Sequence, residues 1–144
     1  MQIHVPAPTP GAADAPHTMS LSHIQSELQQ RLRPAPRQDD GSFRSSITFD
    51  REFCGFDGHF PDNPIVPAVC LLSAAELLAV EAAGCPLRLQ EISTMKFKQH
   101  LVPGDIADFS CQLTEQPDGV YSVSVTITTN EQRTVAKLLL LLTK

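Results

Sequence analysis

The segment Gly58-His59-Phe60-Pro61-Asp62-Asn63-Pro64-Ile65-Val66-Pro67 sets one imidazole in a proline-stiffened stretch directly before an apolar run. A histidine titrates near neutral pH, so it can take up a proton and return it without large tuning. Pro67 suits the first position of a helix, where its missing N–H costs nothing. The start of that helix offers backbone N–H groups that lack intrahelical partners and carry positive dipole character. Such groups can hold a carbonyl oxygen on which negative charge develops. A base beside an oxyanion binder is the minimum needed to remove a proton alpha to a carbonyl. The plain alternative is a hydrogen-bonded histidine in a turn.

The elements around this segment follow from periodicity. Ile24, Leu28 and Leu32 form an i, i+4 stripe for a short helix capped by Ser20 or Ser22 and stopped by Pro34. Its many glutamines suggest a peripheral helix, with residues 34–41 as a turn-rich connection. Phe43, Ser45, Ile47 and Phe49 alternate with Arg44, Ser46 and Thr48, as in a half-buried strand. Residues 67–83 form a helix apolar nearly all round, stopped by Gly84 and Pro86, which other elements must wrap. Three further alternating runs follow: Met95 to Leu101 with Lys96, Lys98 and His100 on the other face, then Ala107 to Leu113, then Tyr121 to Ile127. A final strand covers about 133–143. One buried helix with a long antiparallel meander implies an α+β fold in which a curved sheet encloses a central helix. Residues 1–18, rich in proline and alanine, read as a disordered tail, and residues 19–144 as one domain, with 19–41 its peripheral helix and connection.

Composition narrows the function. The chain has 144 residues, 42% of them hydrophobic, and a formal net charge of −5 with no basic run, which argues against a nucleic-acid partner. The longest apolar run, 138–142, is far too short to span a membrane, and the N-terminus lacks the order of a signal peptide, so a cytoplasmic location is expected. Cys54, Cys70, Cys85 and Cys111 show no C-x-x-C spacing and read as reduced residues in or near the core, with neither a disulfide nor a metal role.

Residues 56–69, Phe-Asp-Gly-His-Phe-Pro-Asp-Asn-Pro-Ile-Val-Pro-Ala-Val, resemble the signature of the 3-hydroxyacyl-acyl-carrier-protein dehydratases of the FabZ and FabA type. A second block agrees: Met95-Lys96-Phe97-Lys98 through Leu101-Val102-Pro103-Gly104-Asp105 resembles the strand and turn before that family's last hairpin. The resemblance covers about residues 43–144. The family's usual Pro-His-Arg-Pro-Phe-type segment is absent, and the chain looks more like the divergent dehydratases of aryl-polyene, pigment and polyketide pathways. The resemblance implies a hotdog fold, a sheet wrapped round one long helix. It implies that His59 takes the alpha proton of a 3-hydroxyacyl thioester carried on phosphopantetheine, giving a trans-2-enoyl product. The N–H of Ala68, where the family usually has glycine, would bind the thioester carbonyl, with Val69 as a second donor and Gly58, Phe60 and Pro67 lining the substrate. It implies no metal and no cofactor beyond the phosphopantetheine arm. The partners it implies are an acyl carrier protein and a second hotdog subunit, in a homodimer or a heterodimer.

One position departs from the family. The Glu or Asp that protonates the departing hydroxyl stands fourteen residues after the histidine, and here that residue is Ser73. A serine hydroxyl is a poor acid at neutral pH, where a positioned acid contributes about 10²–10⁴-fold. Ser73 can hold a relaying water, protonated His59 can return the proton itself, or Glu76 can substitute. Glu76 lies about 60° further round the helix and roughly 4.5 Å along it, where apolar surroundings would raise its pKa. It can equally be a residue reaching a polar groove or a partner. Asp57 is expected to cap its loop. Lys96 and Lys98, with His100, would suit an acidic carrier protein or be an ordinary solvated face. Three functions remain open: a dehydratase, a non-catalytic hotdog subunit that binds carrier protein or pairs with an active dehydratase, and a hotdog acyl thioesterase.

Overall fold

Helix α1, Leu21–Arg31, turns Ile24 and Leu28 to the interior, and Leu28 is completely buried. Leu32, just past its end, packs on the same core, so α1 leans on the interior along one stripe and leaves its other faces exposed or half-buried. The computed structural model describes residues 21–34, 41–56 and 64–144. The expected tail at 1–18 and the Ser20 cap lie outside the described residues. Directly after α1, Arg33–Pro34 forms a two-residue strand, β1, where a turn was expected; Arg33 pairs with Ser46 and Pro34 with Ser45. A proline is tolerated there because β1 is an edge strand.

Strand β2, Phe43–Phe49, buries Ser45, Ile47 and Phe49 and exposes Arg44 and Thr48, the alternation expected of it. Helix α2 runs Ala68–Ala83. Pro67 precedes it with φ −63° and ψ 147°, extended at the N-cap, instead of taking the first helical position. The fixed proline φ suits both positions, and ψ decides between them. At the other end Gly84 adopts φ 71° and donates its N–H to the Val80 carbonyl, closing the helix as a left-handed cap. Eight residues of α2 are buried, Leu71, Leu72 and Leu78 among them, each stabilising the fold by about 1.5–3 kcal/mol.

The wrapping comes from β3 (Arg88–Phe97), β4 (Asp105–Glu115), β5 (Val120–Thr129) and β6 (Thr134–Thr143). With β1 and β2 they form one antiparallel sheet in the order β1-β2-β4-β5-β6-β3. Its inner face carries Phe109, Cys111, Val123, Val125, Ile127, Leu138 and Leu140, which join the α1 and α2 residues in a single core. Strand β3 begins earlier than expected and ends at Phe97, so Lys98 and His100 lie beyond it and do not share a strand face with Lys96. Two register shifts, between Leu89 and Glu91 and between Ile92 and Thr94, interrupt its alternation. Among the described residues no disulfide links the cysteines; Cys54, Cys70 and Cys111 are buried and Cys85 is half-buried.

Candidate functional site

The start of α2 is fixed by the sheet. Val66 donates its N–H to the Leu101 carbonyl (2.8 Å), and Leu101 opens a turn that holds itself rigid. In that turn the Val102 N–H meets Asp105 Oδ2 at 2.9 Å, the Asp105 N–H meets the Val102 carbonyl at 3.1 Å, and Gly104, with φ 98°, donates to the Phe49 carbonyl at 2.7 Å. The Leu-Val-Pro-Gly-Asp block is therefore the bracket on which the segment before α2 hangs. That role is invisible in one-dimensional spacing.

Cys70 donates its N–H to the Pro67 carbonyl (3.0 Å), which leaves Ala68 and Val69 as the donors ahead of the first helical bond. Both residues are exposed, Val69 by 40%. Their amides thus stand at the open, positive end of a sixteen-residue helix, the placement expected of carbonyl-binding groups. Gly58, His59 and Phe60, and Asp57 beside them, lie outside the described residues. Pro67 is half-buried at the N-cap.

Val69, Ser73 and Glu76 stand at i, i+4 and i+7, so one stripe of α2 runs from the free amides through Ser73 to Glu76. Ser73 is buried, at 5% exposure, and Glu76 is half-buried. Burial without a compensating charge pushes the Glu76 carboxyl up to about 7, so near neutral pH a large share of it holds a proton to give. The structure sets Val69, Ser73 and Glu76 along one stripe, with Ala68 at the amide end beside it.

Lys96 and Lys98 are exposed at the end of β3, away from that stripe. The register adds a residue that sequence alone could not place there: Lys137 of β6 is directly opposite Lys96, on the sheet face turned away from α2. Alternation puts Lys137 on that face, but no sequence signal names its cross-strand neighbour. A cleft of about 420 Å³ lies on the same outer face, lined by Arg44, Ser46, Asp108 and Thr126 among others. Among the described residues, none of the expected site residues lines it.

Residues 35–137 match the family model described as ApeI-like, ApeI dehydratase. Among curated relatives, the 3-hydroxyacyl-[acyl-carrier-protein] dehydratase FabZ of Psychrobacter arcticus is 27% identical over 101 residues, 63% of this chain and 68% of that enzyme. The FabZ of Clostridium botulinum strain Loch Maree is 34% identical over 89 residues, covering 57% of this chain and 61% of that enzyme. The chain thus spans some three fifths to two thirds of the length of these two relatives. Among solved structures, the dehydratase heterocomplex ApeI:P of Xenorhabdus doucetiae superposes with a TM-score of 0.67 at 17% identity, over 78% of this chain and 98% of that one. A hypothetical thioesterase of Streptococcus pneumoniae with coenzyme A gives a TM-score of 0.65 at 12% identity, over 86% and 95%. The structural likeness establishes the fold, the family model the lineage: the chain is a hotdog protein and belongs to the ApeI-like dehydratase family, as a divergent relative of FabZ.

Proposed function

We propose that this protein dehydrates 3-hydroxyacyl thioesters held on the phosphopantetheine arm of an acyl carrier protein, releasing trans-2-enoyl thioesters and water in a fatty-acid, polyketide or aryl-polyene type of biosynthesis. The Ala68 and Val69 amides hold the thioester carbonyl oxygen, and His59 takes the proton from the alpha carbon. The electron pair moves toward that oxygen, and its return forms the double bond as the beta hydroxyl departs. Protonated Glu76 supplies the proton that turns the hydroxyl into water. The proton left on His59 restores Glu76 through the displaced water or solvent, and no redox or metal cofactor enters. The reaction belongs in the cytoplasm, where carrier protein is soluble.

The observation that carries this reading is the stripe from the α2 amides through Ser73 to a carboxyl poised near 7. It supplies, one turn further along the helix, the acid that Ser73 cannot be. Strand β3 supports a second subunit. It is ten residues long, has β6 alone beside it among the described residues, and exposes inward-facing Phe97 by 43%. An edge of that kind invites pairing with another hotdog subunit, a second copy or a different one. The solved relative from X. doucetiae is itself a heterocomplex by its description. Serine at position 73 favours a second reading, a subunit that binds carrier protein while its partner performs the chemistry.

Incubating the purified protein with 3-hydroxyacyl carrier protein and following the loss of water by mass tests the proposal, with His59→Ala and Glu76→Gln alongside. Loss of turnover in both variants, about 10²–10⁴-fold for Glu76→Gln, supports it. Retained turnover in Glu76→Gln removes Glu76 from the mechanism. Carrier binding without turnover selects the non-catalytic subunit, and release of free acid selects a thioesterase.

A further inference from the structure

Glu27 sits at the centre of a polar cluster between α1 and the single 3-10 turn Cys54–Phe56 that follows β2. Its Oε1 accepts hydrogen bonds from Arg31 Nη2 (2.8 Å), Arg31 Nε (3.2 Å) and the Cys54 N–H (3.1 Å). Its Oε2 faces His23 Nε2 at 3.7 Å, one helical turn back. That separation is long for a hydrogen bond. It is close to the edge of about 3.3–3.7 Å between two ligands of one tetrahedral metal ion, given bonds of roughly 2.0–2.3 Å. The ligand atoms of His23, Glu27 and Cys54 all lie within 4.8 Å of one another.

We propose that His23, Glu27 and Cys54 bind one divalent transition-metal ion of the zinc class, with water completing the tetrahedron. Mixed nitrogen, oxygen and sulfur donors select a borderline ion of that class over magnesium or calcium. The Arg31 and Cys54 N–H groups hold Oε1 and so aim Oε2, the kind of outer support that fixes a ligating carboxylate. Charge favours the ion. Glu27 and Asp50 are two carboxylates against one guanidinium, Arg31, which is paired to both. The cluster is therefore net negative before the metal arrives. Binding expels the Cys54 thiol proton to solvent and leaves the thiolate as ligand. His23 has room to close on the ion, since its side chain is 56% exposed beside a depression of about 330 Å³ lined by His23, Ser26, Glu27, Gln30 and Arg31. Such an ion would staple α1 to the turn that immediately precedes residues 57–63.

The test uses the full-length protein, stripped by a chelator and titrated with Co²⁺, then with Zn²⁺. The expected result is one equivalent of Co²⁺, with intense tetrahedral d–d bands and a near-ultraviolet thiolate-to-cobalt band, all displaced by Zn²⁺. Cys54→Ser removes the thiolate band, while Cys85→Ser keeps it. His23→Ala, at an exposed position outside the buried core, weakens Co²⁺ binding by at least the ~10–100-fold that loss of an outer partner already costs. If Cys54→Ser does not fold, the His23→Ala comparison decides. No thiolate band at stoichiometric Co²⁺, a band that survives Cys54→Ser, or unchanged affinity in His23→Ala overturns the site.

Discussion

Lys96 on β3 and Lys137 on β6 occupy directly opposite register positions, both exposed, on the sheet face turned away from α2. Like charges facing each other across an antiparallel pair oppose folding by about 0.2–1 kcal/mol. Lys98 follows on the same edge, its N–H donated to the Val135 carbonyl at 2.8 Å. A pair that costs the fold and adorns its edge suits an acidic partner. Lys137→Glu is expected to raise the unfolding midpoint slightly. Lys96→Glu with Lys137→Glu is expected to slow carrier-protein association roughly tenfold at low salt, with the difference fading as salt rises. Association rates measured across ionic strength check this, and a salt-independent effect contradicts it.

Glu76 gives a stability signature apart from any activity. Its folded pKa, about 7, is above the ordinary 4.5, so between those values the folded state binds more protons than the unfolded one. Stability from this group is fully present below about 4.5, falls as pH rises through about 7, and is level above. The whole loss is on the order of 3 kcal/mol at about 1.36 kcal/mol per unit. Glu76→Gln is expected to remove it. Urea unfolding at about pH 5 and about pH 8 should show the variant gaining on the natural protein at the higher pH; a constant difference rejects the shift.

Cys70 and Cys111 are pushed up to about 11 by burial, so near pH 8 only about one in 10³ of either is thiolate. Half-buried Cys85 is expected to alkylate well before them. Peptide mass mapping over a labelling time course reads this order directly. Equal rates at Cys70 and Cys85 would mean that α2 opens on the labelling timescale.

Leu28 is completely buried although α1 lies outside the stretch that carries the family motifs. Leu28→Ala is expected to cost about 2–5 kcal/mol, and exposed Gln29→Ala to stay within about 0.5 kcal/mol of the natural protein. Chemical denaturation compares them. Near-equal midpoints would make α1 dispensable to the core.

Phe97 closes the β3 edge with an aromatic ring 43% exposed. Phe97→Asp is expected to halve the mass seen by light scattering while the monomer keeps its far-ultraviolet dichroism. An unchanged assembly would place the subunit contact elsewhere.

Much of this architecture was legible in the chain. Strand β5 alternates throughout, β4 does so as far as Cys111 and β6 from Ala136 onward, and α2 ends on Gly84 in the left-handed conformation expected after a helix. Strand β3 was only half legible, because its bulges place Leu89, Ile92 and Met95 three residues apart on the inner face and hide the period of two. That hidden period also carried the expected strand too far, to Leu101 instead of Phe97. Pro67 was placed one position late, since its ring fixes φ and says nothing of ψ. At the site, the offset between Ser73 and Glu76 followed from helix geometry, and the burial that raises the Glu76 carboxyl followed from the apolar run around it. Lys137 and the Leu101 bracket needed tertiary structure, because each acts through a neighbour more than thirty residues away.

The hydrogen bond from Val66 to Leu101 means that the amino end of α2 is moored to the turn between β3 and β4, and through Gly104 to Phe49 of β2. A shift of that turn would therefore carry the Ala68 and Val69 amides with it. Substitutions at Gly104 or Asp105, distant from α2 in the chain, can thus re-aim that end of the helix while leaving the helix itself unaltered.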